Sequence, residues 1–171
     1  MDRKEFWGRV KSGERDFSGV NFKGIRLSTL DLTGIILVGA NLSGCKMVET
    51  MFHNANLEGA CFKGANLDGA SFRNCNLRRA NFDSSILVRA SFSDCNGDEA
   101  SFTNIDDLVL VGFHDSSFRR SKWGGTAIGS ECGMSDIDLT DAIGCPRDYI
   151  TAYASRVTLP SGRIVGNMDE R

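Results

Sequence analysis

A large apolar residue stands at every fifth position from Phe17 to Phe92, sixteen times in succession. An odd period of this kind excludes a continuous strand. Side chains along a strand alternate between faces, so residues five apart would point to opposite sides of one sheet. The chain must therefore turn once in every repeat. Each repeat reads as three near-extended residues, small inward, polar outward and large inward, followed by a two-residue corner. Asn41, Asn56, Asn66, Asn76 and Asn81 fill the outward slot, and Gly19, Gly24, Gly34, Gly39, Gly44, Gly59, Gly64 and Gly69 fill the corner. Four such sides make a square coil of about 20 residues, and coils stack at about the 4.8 Å spacing of paired strands.

A second periodicity supports the count of four sides. The central residues alternate strictly through Phe52, Leu57, Phe62, Leu67, Phe72, Leu77, Phe82, Leu87 and Phe92. In a square coil this sets Phe opposite Phe and Leu opposite Leu. Phe52, Phe72 and Phe92 are expected in one column, and Phe62 and Phe82 in another that Phe102 continues. Three-sided coils would scatter this order. Each such residue, once buried, contributes about 1.5–3 kcal/mol, so the repeat accounts for a packed core.

The segments ANLSG (Ala40 to Gly44), ANLEG (Ala55 to Gly59) and ANLDG (Ala65 to Gly69) resemble the motif of the pentapeptide-repeat family: a small residue, Asn or Asp, Leu or Phe, then two variable positions. The resemblance extends from about Arg15 to Ala142. It implies an all-β fold, a right-handed quadrilateral parallel β-helix. The helix-then-GERDFSGVNF opening and the LPSG near the end further resemble cyanobacterial members.

Both ends are expected to be covered, because an open terminal coil exposes its core and its unpaired backbone. Residues 1–14 read as a helical cap: Asp2 as N-cap with Glu5 three residues on, Phe6 and Trp7 to be buried, Gly13 as the stop. Residues 15–145 form the β-helix. Residues 146–171 read as an irregular cap, in which Pro146 ends the repeat, DYITAYASRV packs over the top coil, VTLPSGRIV forms two extended pieces around a Pro-Ser-Gly turn, and NMDER is frayed. Within the repeat, Gly97 stands where a large residue belongs, predicting a ragged loop near 96–100. A frame slip of one before Leu108, Phe113, Phe118, Trp123 and Ile128 predicts another near 104–111, and a further slip leads to Met134 and Leu139.

The 171-residue chain reads as one body. It shows no apolar run of membrane-spanning length and no signal-like start, so the expected location is the cytoplasm. Cys45, Cys75 and Cys95 occupy the small slot and read as buried thiols rather than a disulfide framework. Net charge is −2, distributed as +1 over residues 1–14, +2 over 15–94, −6 over 95–145 and +1 over 146–171.

Catalysis needs titratable groups converging in a concavity, and this scaffold is a convex rod filled by Phe and Leu. His53 at a corner and His114 beside Asp115 do not make a triad, and Cys132 and Cys145 lack close-spaced ligand partners. No catalytic residue, cofactor or metal is expected. Arg73, Arg78, Arg79 and Arg89 form a basic cluster without interleaved aromatics, so direct nucleic-acid binding is not expected either.

Ile86 and Val88 take outward slots normally polar, as do Ile36 and Val38. Ile86 and Val88 are read first as lying under the 104–111 segment and second as partner contacts. The reading that results is a non-enzymatic protein–protein interaction scaffold, a regulatory or signalling partner, with Arg78, Arg79, Ile86, Val88, Asp98 and Glu99 as contacts to an unidentified protein. The alternative, taken from the family, is a DNA mimic that inhibits or protects gyrase through Asp98, Glu99, Asp106, Asp107, Asp115, Asp136, Asp138 and Asp141. The repeat specifies neither the partner nor the oligomeric state.

Overall fold

The computed structural model describes residues 1–106, 108–126, 132–145 and 154–165. Ile128, Pro146 with most of DYITAYASRV, and NMDER lie outside the described residues. The core of the fold is a stack of coils in which each residue sits above the one 20 positions earlier. One ladder of parallel bridges runs Asp16, Ile36, Asn56, Asn76, Asn96, Ser117, Asp138, Thr158. Its step is 20 residues as far as Asn96 and 21 over the next two steps.

Each coil has four sides. The first face carries the centres Leu37, Leu57, Leu77 and Phe118, the second Leu42, Phe62, Phe82, Phe102 and Trp123, the third Met47, Leu67, Leu87 and Leu108, the fourth Phe52, Phe72, Phe92, Phe113 and Met134. All these centres are buried. The longer extended pieces lie on the fourth face: β1 (Ser71–Arg73), β2 (Ser91–Ser93), β3 (Gly112–Ser117), β4 (Gly133–Asp138) and β5 (Ala154–Ser155), each paired in parallel with the next.

Corners on the first three faces are mostly made the same way. The carbonyl of the central residue accepts from the amide three residues on, as Leu37 does from Ala40 at 3.0 Å, and the residue between them at the corner takes φ near +60°. Glycine adopts this conformation without strain, as at Gly39 (φ 63°), but Arg79 (57°) and Glu99 (63°) adopt it too. The outward Asn or Asp supports the corner. Asp16, Asp31, Asn41 and Asn76 each accept from the amide two residues ahead, at 2.9–3.2 Å, which explains why the motif asks for these residue types.

The predicted aromatic columns are present. Phe52, Phe72, Phe92 and Phe113 stack with centroids 4.8–5.0 Å apart and planes within 6°. Phe62, Phe82 and Phe102 form the second column at 4.9 Å, and Trp123 extends it at 4.5 Å. The two columns meet edge to face across the interior, as Phe62 does with Phe72 at 6.0 Å. Such pairs add about 0.5–1.5 kcal/mol to the burial of each ring.

At the lower end, α1 (Arg3–Lys11) starts at Asp2, whose carboxylate accepts from the Glu5 amide at 2.8 Å, and stops at Gly13 (φ 97°). Phe6 is buried edge-on against Phe17 (4.8 Å) and Phe22 (5.0 Å). Trp7 is only half-buried, with the Lys11 ammonium 5.5 Å from its ring, so Phe6 and Val10 do the covering. At the upper end, β6 (Val157–Thr158) pairs with β4 and then, antiparallel, with β7 (Ile164–Val165). The turn between them passes through Pro160, Ser161 and Gly162 (φ 81°), as the sequence predicts.

The ragged loop predicted near 96–100 is absent. Asn96 bridges both neighbours, the Gly97 amide donates to Ser117 at 2.7 Å, and the corner is regular. The missing side chain is replaced from the next coil. A Cβ on Gly97 would lie 2.2 Å from Cδ1 and Cε1 of Phe118, whose ring occupies that volume and meets Phe102 and Phe113 edge-on at 5.6 and 5.4 Å. The slip near 104–111 is real: Ser84 donates to Thr103, 19 residues on, but Arg89 donates to Val109, 20 residues on, so one residue is inserted between them.

Restoring the motif at position 97 is therefore destabilising. Gly97→Leu is expected to lose about 1–3 kcal/mol of unfolding free energy through overpacking. In urea titrations, adding Phe118→Ala to that variant should recover part of the loss. A neutral Gly97→Leu would mean that Phe118 is free to move aside.

Candidate interaction surface

The sequence-predicted contact residues divide between opposite sides of the rod. Arg78, Arg79, Asp98 and Glu99 stand on the first face, and Ile86 and Val88 on the third. The reason is arithmetic: five residues make a side, so positions about ten apart are half a coil apart.

On the first face the charges alternate in sign from coil to coil and compensate each other. Glu58 pairs with Arg79 and accepts from Asn76 at 3.2 Å. Glu99 lies 3.5 Å from Arg78 and 3.1 Å from Arg120. Asp98 accepts from Ser117 and from the Arg119 amide, and the Arg119 side chain reaches Asp138 at 3.8 Å. Solvent-screened pairs of this kind add little to stability. Their effect on recognition is larger, since they leave neither a basic nor an acidic stripe here. The remaining acids are dispersed: Asp115 and Asp136 lie at fourth-face corners, where Asp136 pairs with Arg156 at 2.5 Å, and Asp106 lies between the second and third faces. Asp107 lies outside the described residues.

The fourth face carries small and polar residues. The His114 imidazole lies over Gly112 and Gly133, where added Cβ atoms would approach its ring to 2.7 and 3.8 Å, and its Nδ1 is 2.7 Å from Ser135 Oγ. His53 Nε2 is 3.1 Å from Ser71 Oγ. Among the described residues no carboxylate is hydrogen-bonded to either ring. Most of the shifted thiols are quiet. Burial pushes Cys132 and Cys145 up to about 12, and a hydrogen bond with Cys75, together with burial, pushes Cys95 up, while the same bond holds the buried Cys75 below its ordinary value. Protonated thiols are poor nucleophiles and ligands. No group of acids, cysteines and histidines among the described residues could hold a metal ion, and no described helix is long and apolar enough to cross a membrane.

The third face differs. Ile86 is 49% exposed and Leu110 48%, with Val88 and Val109 half-buried between them. Ile86 is thus left open to solvent rather than lying under the 104–111 segment, contrary to the first reading of the sequence, whereas Val88 is half-buried. Below, Arg89 grips Asp68 with both ends of its guanidinium at 2.8–3.0 Å and neutralises it. Val109 and Leu110 were not singled out from sequence, yet the slip that makes Leu108 a centre places them at the two-residue corner after it, with Leu110 at φ 57°. Beside Ile86 and Val88 the inserted residue opens a recess of about 380 Å³, lined also by Ser84, Ser85, Asn104 and Asp106.

The family model for pentapeptide repeats, in 8 copies, matches residues 16–47, 35–74 and 75–106. No curated protein sequence matches the chain. Among solved structures, the chain is similar to HetL, a pentapeptide repeat protein involved in heterocyst differentiation regulation from the cyanobacterium Nostoc sp. strain PCC 7120. The two are 17% identical over 96% of this chain and 99% of that one, with a TM-score of 0.35. Alr5209 from Nostoc PCC 7120 is 27% identical over 56% of this chain and 80% of its own (TM-score 0.33). QnrB1, a plasmid-mediated fluoroquinolone resistance protein, is 16% identical over 77% and 78% (TM-score 0.33).

The carboxylates of the coils set the acid limit of the fold. Glu58 is held below its ordinary value of 4.5 by hydrogen bonds from Arg79 and Asn76. Burial would raise Asp83, but hydrogen bonds from Ser101 and Thr103 hold it below 3.8. Both folded-state values lie below the unfolded ones, so their stabilisation is complete above about pH 5 and is lost as pH falls through the folded values. Urea titrations should give a flat stability from pH 7 to about 5 and a decline below about 4. Asp83→Asn should make that decline shallower; an unchanged acid limb would exclude Asp83 as a contributor.

Proposed function

This chain belongs to the pentapeptide-repeat family, and we propose that it is a non-enzymatic, cytoplasmic protein–protein interaction scaffold that presents its third face to a protein partner. The observation that carries the reading is the aliphatic group Ile86, Val88, Val109 and Leu110, gathered on neighbouring coils of one face in outward and corner positions that are mostly polar in the repeat. A contiguous exposed apolar patch on a rigid surface favours an interface. The stacked backbone loses little freedom when such a face is covered, so little of the contact energy goes into ordering the scaffold. A surface that binds without transforming its partner acts by occupancy, which suits a regulatory or signalling role. The compensated first face supports this reading over DNA mimicry, which requires a continuous acidic stripe. Unpaired thiols suit a reducing compartment.

Because the candidate contacts lie on opposite faces, two single variants separate them. In affinity capture from the native organism's lysate, Val88→Asp is expected to reduce recovery of the partner at least about tenfold, equivalent to about 1.4 kcal/mol, and Arg78→Glu to leave it unchanged. The reverse result would move the interface to the first face. Inhibition of gyrase supercoiling at micromolar protein would replace the scaffold reading with the mimic.

A further inference from the structure

The recess beside Ile86 and Val88 has a chemistry of its own. It lies at the junction of the second and third faces, beside the residue inserted between Thr103 and Val109. One side is aliphatic, from Ile86 and Val88; the other is polar, from Ser84, Ser85 and Asp106.

Ser85 differs from its counterparts. Most hydroxyls and thiols in the inward small slot donate to a carbonyl, either the central one of the coil below, as Cys45 to Phe22 at 3.0 Å, Thr50 to Leu27 at 3.0 Å, Cys95 to Phe72 at 3.4 Å, and Thr126 to Phe102, or one of their own coil, as Ser116 to His114 at 2.6 Å and Ser121 to Phe118 at 2.5 Å. By the same register Ser85 would donate to Phe62. Instead Ser85 Oγ is buried, with the residue 3% exposed, and has no hydrogen-bond partner among the described residues. A buried polar atom left in this state is costly and calls for an occupant that supplies the bond. Asp106, at the mouth of the same recess, makes no ion pair among the described residues, while the nearby Asp68 is already neutralised by Arg89. The uncompensated charge at the recess is therefore negative, within a stretch whose net charge is −6.

We infer that this recess receives a basic side chain, arginine or lysine, from the protein partner. The inference rests on the scaffold reading and supplies the chemistry of the partner. The stem of such a side chain is several methylenes long and lies on Ile86 and Val88, while its head reaches the polar side. Guanidinium and ammonium groups present only donors, so Ser85 Oγ and the Asp106 carboxylate both serve as acceptors. An acidic ligand would meet Asp106, and a purely apolar one would leave Ser85 as it is.

The test uses the full chain, ¹⁵N-labelled, titrated with Nα-acetyl-arginine methylamide and followed by amide chemical shifts. Saturable shifts confined to residues 84–88 and 104–106 are expected at millimolar ligand. The neutral isostere Nα-acetyl-citrulline methylamide should bind at least about tenfold more weakly, and Asp106→Asn should remove that preference. Ser85→Ala should weaken the arginine probe severalfold without lowering stability, since its hydroxyl has no bond to lose. Equal binding of citrulline, shifts elsewhere on the rod, or no saturable shift overturns the inference. If the partner still depends on Val88 in the capture experiment when the arginine probe fails, the scaffold reading stands and only the basic anchor is withdrawn. If both fail, both are withdrawn.

Discussion

The vertical register between coils governs everything else in this molecule. Backbone amides and carbonyls are committed upward and downward along each face, as in the ladder from Asp16 to Thr158, so no residue can shift sideways without breaking bonds on two levels. The aromatic columns follow from it, since rings one coil apart have no choice but to stack near 4.9 Å. So do the ion pairs: Arg79 meets Glu58 and Arg120 meets Glu99, each 21 residues away. A surface in this fold is a set of columns read in steps of about twenty.

That property decides how much could be read from the chain. The four-sided count, the two phenylalanine columns, the Asp2 cap and the Pro-Ser-Gly turn were legible because each depends on local pattern or on a strict period. Gly97 was misread because its compensation comes from Phe118, in the coil above and on the far side of the frame slip. Trp7 was overvalued because a helix of this length turns only one strip, Phe6 and Val10, toward the open coil. The division of Arg78 and Val88 between opposite faces was available by counting ten residues as half a coil. The unpartnered Ser85 hydroxyl was not, since only the coordinates reveal which way a small side chain turns.

Function in such a rod depends on interruption of the repeat. Where the period is perfect, most outward polar side chains support corners or pair with the coils above and below. Asp31 accepts from Thr33 and Asn76 from the Arg78 amide. The single inserted residue before Leu108 breaks this pattern on the third face, leaving aliphatic groups uncovered and a hydroxyl without a partner.

The reversed strand at the upper end has a further consequence. A stack of parallel coils with identical spacing is geometrically a fibril whose layers happen to belong to one chain, and each finished layer templates the next. β7 runs against β6, so the edge it offers has the wrong polarity to seed another parallel layer, while α1 blocks growth below with Phe6. At the lower end and along the β6 edge, the stack of like layers thus meets an unlike element instead of a further copy of itself.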